Sequence, residues 1–92
     1  MAGRIETYTH SDKSVPNKGA AMVRVNCTTD FAARTQQFIT FSHSVAKMAF
    51  ASNATNWDDL IKEYPDLEDH RREVADVIRE KVYIDQITVM LV

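Results

Sequence analysis

Ninety-two residues suffice for one domain with a modest core, and 45% apolar content with eight aromatic residues excludes a disordered chain. Eleven basic against thirteen acidic groups give a net charge of −2, which argues against direct nucleic-acid binding and its usual basic excess. The balance is uneven: residues 1–46 carry five basic and three acidic groups (+2), residues 47–92 six and ten (−4), a split suited to a protein partner.

No apolar run approaches the ~18 residues of a membrane span. Met1 to Thr9 lacks the apolar centre of a secretory signal. Cys27 is the single cysteine and cannot close an internal disulfide. The expected compartment is the cytoplasm, without membrane contact, so the glycosylation-type triplets at Asn26 and Asn53 read as chance matches.

In chain order, Arg4 to His10 alternates Ile5, Thr7 and Thr9 with Glu6, Tyr8 and His10, the period of a strand. Ser11 to Gly19 reads as a loop, with Pro16 and Asn17-Lys18-Gly19. Ala20 to Asn26 is a second strand with Ala21, Val23 and Val25 on one side, giving a hairpin with a long turn. Thr29 or Asp30 can cap a short helix, and Thr35 a longer one whose stripe is Phe38, Phe41, Val45 and Met48. Asn53 to Asn56 ends that helix. Trp57 to Tyr64 predicts a short helix stopped by Pro65, with Trp57, Leu60 and Ile61 inward.

Asp66, as N-cap, opens a charged helix to about Lys81 with Leu67, Val74, Val77 and Ile78 inward. Glu68 and Arg72 are spaced for a pair on its wet face. Val82 to Val92 alternates as a third strand. The order β-β-α-α-β, with a short extra helix allowed, predicts an α+β fold: a three-stranded antiparallel sheet with helices packed on one face. The other face is then open, and Tyr8, Met22 and the Met90-Leu91-Val92 end are candidates to line it. The alternative is that these residues belong to a single core and only hydrophilic residues meet water.

Catalytic chemistry finds no support in the inventory. His10, His43 and His70 fall on separate elements without the close Cys or His spacing of a zinc site. Cys27 with His43 could form a nucleophile and base only if folded together, and a buried strand-end cysteine is the simpler expectation. With Gly3 and Gly19 the only glycines, no phosphate-cradling loop is available, and no metal or cofactor is expected. Asn26-Cys27-Thr28-Thr29-Asp30-Phe31 stands apart, placing capping groups and one large aromatic where a strand passes into a helix. On local pattern alone, Phe31 would staple the first helical turn into the core.

The stretch Met22-Val23-Arg24-Val25-Asn26-Cys27-Thr28-Thr29-Asp30-Phe31-Ala32-Ala33-Arg34 resembles the signature segment of translation elongation factor Ts. That family writes an apolar strand, then Val-Asn-Cys, a variable residue, Thr-Asp-Phe and two small apolar residues. The likeness continues through Phe38, Phe41, Val45, Ala46 and Met48, and more weakly over Glu73 to Leu91. It implies a single core subdomain over residues 1–92, without the separate N-terminal helical domain of full-length members, and a non-enzymatic exchange factor whose partner is elongation factor Tu. The resemblance assigns partner binding to Asn26, Thr29, Asp30, Phe31 and Arg34. Asp30 and Phe31 would enter the partner near its magnesium and phosphate site, so that GDP leaves. It also implies a homodimer through the open sheet face at Tyr8, Met22 and Met90. The alternatives are an adaptor that recruits elongation factor Tu to another assembly, such as a viral one, or a dimerisation module without exchange activity.

Overall fold

The computed structural model describes residues 2–92. Strand β1 (Ala2–His10) and strand β2 (Gly19–Cys27) pair antiparallel as a hairpin. Strand β3 (Tyr83–Leu91) runs antiparallel along the other edge of β2, giving the order β1-β2-β3. The hairpin loop is organised by side chains. Asp12 Oδ1 accepts the backbone N–H groups of Ser14 (3.0 Å) and Val15 (2.7 Å), and Asn17 takes a left-handed φ of 54°, which asparagine tolerates. Between Arg24 and Val25 the β2–β3 register shifts, and Asp85 bulges out to form an ion pair with Arg24 at 2.9 Å.

Four helices connect β2 to β3: α1 (Asp30–Ala33), α2 (Gln36–Ser52), α3 (Trp57–Glu63) and α4 (Asp66–Ile78). The expected α+β fold is present, with two short helices in addition to the two long ones. Thr29, Thr35 and Asn56 each accept the N–H three residues on, at Ala32, Phe38 and Asp59, and so start α1, α2 and α3. Asn53, at a φ of 55°, ends α2.

Helix α4 departs from expectation at both ends. Pro65, not Asp66, holds the cap position, and it offers no side-chain acceptor; Asp66, Glu68 and Asp69 instead place negative charge in the first turn, where the helix dipole favours it. The helix stops at Ile78 rather than Lys81, because Arg79 turns left-handed at a φ of 60° and closes onto the Ala75 carbonyl. Val77 is exposed and borders a groove beside Gln36 and Thr40, so the inward stripe is Leu67, Val74 and the half-buried Ile78. Glu68 forms the expected pair with Arg72, at 3.3 Å, but its carboxylate is half-buried. Arg71 holds it through bonds of 2.6 and 2.8 Å and donates to the Val82 carbonyl at 2.9 Å, tying α4 to the start of β3.

The core lies between the helices and one sheet face. Phe38, Phe41 and Val45 of α2 meet Val23 and Val25 of β2, and Leu60, Val74 and Ile87 close the sides. Each such large side chain contributes roughly 1.5–3 kcal/mol when fully buried. The opposite face carries Ile5, Met22, Arg24, Thr88 and Met90, and among the described residues no element covers it. Tyr8 is not on that face. It pairs with the buried Ala21, whereas Met22 pairs with Thr7, and neighbouring positions along a strand point to opposite sides. Tyr8 therefore packs against Phe50 (ring centroids 5.7 Å) and shares a 2.9 Å hydrogen bond with His10 Nδ1.

Candidate partner-binding site

The strand-to-helix junction is built from β2 outward. Cys27 is buried, and its Sγ donates to the Thr29 carbonyl at 3.3 Å. Burial, followed by the nearby Glu80 carboxylate, pushes the Cys27 thiol above its ordinary pKa, so it is a packed side chain rather than a nucleophile. His43 is engaged elsewhere, 3.5 Å from Glu6, and the Cys27–His43 pairing is not formed. Asn26 is buried as well, at 8% exposure, opposite Gly3. A Cβ on Gly3 would lie 2.2 Å from the Val25 carbonyl oxygen and 2.9 Å from Asn26 Oδ1, so the strands can approach this closely only with glycine there.

Beyond Cys27 the chain turns to the surface. Thr29 Oγ1 accepts the Ala32 N–H at 3.2 Å. Ala32 and Ala33 are the buried side of α1, which leaves Asp30, Phe31 and Arg34 on its outer side. Phe31 is 76% exposed, and it does not staple the turn into the core. At the far end, Thr35 Oγ1 donates to the Ala32 carbonyl (2.8 Å) while accepting the Phe38 N–H, so α1 runs directly into the start of α2.

Glu80, two residues beyond α4, completes the junction. Its Oε1 accepts the N–H groups of Thr28 and Thr29, both at 2.9 Å, and its Oε2 accepts the Thr29 hydroxyl at 2.6 Å. The Thr29 hydroxyl bond, with the two backbone N–H bonds, holds the Glu80 carboxyl below its ordinary pKa. No local pattern marks Glu80 as part of this site. Its partners lie more than fifty positions earlier, and helical periodicity places it inside α4.

Of the anticipated partner-binding residues, the fold brings Thr29, Asp30, Phe31 and Arg34 together around α1, with Thr29 as its cap. Asn26 lies beneath them. The arrangement presents an exposed aromatic ring beside a carboxylate on a backbone bonded at both ends. Among the described residues no group of three or more His, Cys, Asp or Glu is placed to hold a metal ion, and no helix is long and apolar enough to cross a membrane. Of the face-lining candidates, Met22 and Met90 sit together with Ile5 on the open sheet surface.

A family model described as Elongation factor TS matches residues 28–92. Elongation factor Ts of Clostridium botulinum (strain Alaska E43 / Type E3) is 39% identical over 66 residues, covering 72% of this chain and 20% of that protein. The protein of the same name from Clostridium perfringens (strain 13 / Type A) is 30% identical over 80 residues, covering 87% of this chain and 25% of its own length. That of Methylococcus capsulatus is 44% identical over 48 residues, 52% of this chain and 16% of the relative. The chain thus spans a quarter or less of these relatives.

Proposed function

The chain belongs to the elongation factor Ts family, and on that premise we propose that it is one core subdomain that binds elongation factor Tu in the cytoplasm and promotes release of GDP. The observation that carries this reading is Phe31, a large apolar ring 76% exposed on a four-residue helix whose backbone is bonded at both ends. A lone protein gains nothing by holding a phenylalanine in water, whereas a partner that buries it gains roughly 1.5–3 kcal/mol. Asp30 adds a carboxylate beside the ring, and Arg34 a cation one turn away. In this reading Asp30 and Phe31 enter the partner near its magnesium and phosphate site. Preference for the nucleotide-free partner must then weaken nucleotide binding by the same factor. Phe31 alone could supply at most about a 10- to 150-fold effect.

The test is release of labelled GDP from elongation factor Tu with the wild-type chain and with Phe31→Ala. Wild-type acceleration that Phe31→Ala loses supports the assignment. Equal acceleration by both removes Phe31 from the mechanism. Binding without release leaves the adaptor function instead.

The open sheet face supports a second, separate element of the proposal: a homodimer. Ile5, Met22 and Met90 are 57%, 46% and 72% exposed on the face that the helices leave bare. A second copy would cover this surface. Light scattering should give a dimer mass that Met90→Glu lowers, and a concentration-independent mass near 10.5 kDa would rule the dimer out.

A further inference from the structure

Helix α1 has four residues, far too few to hold its own shape in water, where even helices of about 12 residues are marginal. Phe31 makes little use of its own chain for support, being 76% exposed. Its orientation must therefore come from the backbone at the start of α1, and that backbone is held from outside. Two N–H groups and one hydroxyl, from Thr28 and Thr29, converge on the single carboxylate of Glu80.

The Thr29 hydroxyl joins the two ends of this arrangement. A hydroxyl has one proton to donate. Donating it to Glu80 Oε2 turns a lone pair toward the Ala32 N–H, so the cap on α1 and the bond to Glu80 are set by the same oxygen. Glu80 is itself fixed. The left-handed turn at Arg79 brings it back under the junction, its N–H bonds to the Ala75 carbonyl at 3.2 Å, and Val82, two residues on, is buried and bonded to Arg71.

We propose that Glu80 is a positioning residue for the partner-binding tip: its carboxylate fixes Thr28 and Thr29 so that Phe31 stands outward in the orientation the partner meets. This rests on the reading of Phe31 as the residue that elongation factor Tu buries. It extends the site to a residue from the far end of the chain that touches no partner itself.

A double-mutant cycle with labelled GDP on elongation factor Tu tests the proposal. Glu80→Ala should raise the concentration needed for half-maximal release roughly tenfold, the scale of losing one helix cap. With Phe31→Ala already present, the same change should matter by less than about twofold, because a residue acting through Phe31 has nothing left to position. Equal losses in the two backgrounds overturn the proposal.

A second measurement uses the free protein. Hydrogen exchange at the Ala32 amide should quicken about tenfold in Glu80→Ala while the melting transition stays cooperative. Glu80→Gln, which keeps an acceptor for both N–H groups, should restore most of the protection and most of the release activity. Unchanged exchange overturns the proposal, as does a Glu80→Gln protein no better than Glu80→Ala. Should Glu80→Ala fail to fold, Glu80→Asp, whose carboxylate is one methylene short of the Thr28 and Thr29 amides, takes its place in both Phe31 backgrounds, with the same outcomes expected. If the wild-type chain neither binds nor acts on elongation factor Tu, the exchange reading fails, and Ala32 exchange still decides whether Glu80 holds the tip.

Discussion

Phe31 and Phe38 sit seven positions apart, two and three residues after a threonine that caps a helix, and they have opposite fates. Thr29 accepts the Ala32 N–H and Thr35 the Phe38 N–H through the same geometry. Yet Phe31 is 76% exposed and Phe38 is fully buried. Phe31 is the second residue after its cap, where α2 has the exposed Gln37. Phe38 is the third, where α1 has the buried Ala32, so one step around the helix separates the two fates. Helix α1 lays Ala32 and Ala33 on the body of the protein, and these small residues need no aromatic beside them. Helix α2 lays Phe38, Phe41 and Val45 on the sheet, and its length lets that stripe repeat. The first region leaves its aromatic ring at the surface, and the second packs its rings on its own sheet.

The largest break in this comparison comes from truncating each ring. Phe38→Ala should cost about 3–5 kcal/mol, a large part of the stability of a small domain, read by urea denaturation. Phe31→Ala should leave stability within about 0.5 kcal/mol, since an exposed ring has little to lose on the folded side. A comparable loss of stability in Phe31→Ala would show that the ring is packed after all.

Removing the two caps gives a smaller contrast. Thr35→Ala should destabilise by roughly 0.5–2 kcal/mol, because α2 carries the core. Thr29→Ala removes a cap and a donor to Glu80, and its main effect should appear as faster hydrogen exchange at Ala32. Global denaturation that moves as far as it does for Thr35→Ala would erase the distinction between the regions.

Acid supplies the most delicate probe. The Glu80 carboxyl has a folded-state pKa below its ordinary value of 4.5, so its contribution is present above that value and is lost as pH falls through the lower, folded one. Thr35 and Phe38 are bonded without a titrating group. Between about pH 6 and pH 3, the protection factor of the Ala32 amide should fall more than that of Phe38. Glu80→Gln should flatten the difference, and equal falls at both sites in wild type would count against the Glu80 bonds.

Most of the architecture was legible in local pattern. Alternation through Ile5 and Tyr8 marks β1, the Phe38-Phe41-Val45 spacing marks α2, and Asn53 and Pro65 mark the breaks around α3. The side of the sheet on which Tyr8 lies was not legible. It depends on register across the hairpin, where Thr7 rather than Tyr8 faces Met22. The end of α4 leaves no local signal, because Arg79, an ordinary helix former, takes the left-handed conformation that ends it. At the site, Thr29, Asp30, Phe31 and Arg34 could be named from the signature, but a buried and an exposed Phe31 have the same local pattern. Asn26 belongs to the same signature, and its burial beneath the others depends on the close approach of Gly3 across the hairpin, which local pattern does not show. Glu80 left no local trace, since its partners are remote in sequence.

The Thr28–Thr29 bonds to Glu80 also carry a consequence for time. A chain is made from its N-terminus, so β1, β2 and the whole of α1 exist before Glu80 has been added. Until then the amides of Thr28 and Thr29 have only water to satisfy them, and the central strand lacks its β3 neighbour. Ordering of the tip therefore waits until Glu80, more than fifty residues on, has been made. An unfinished chain carries Phe31 without the means to aim it.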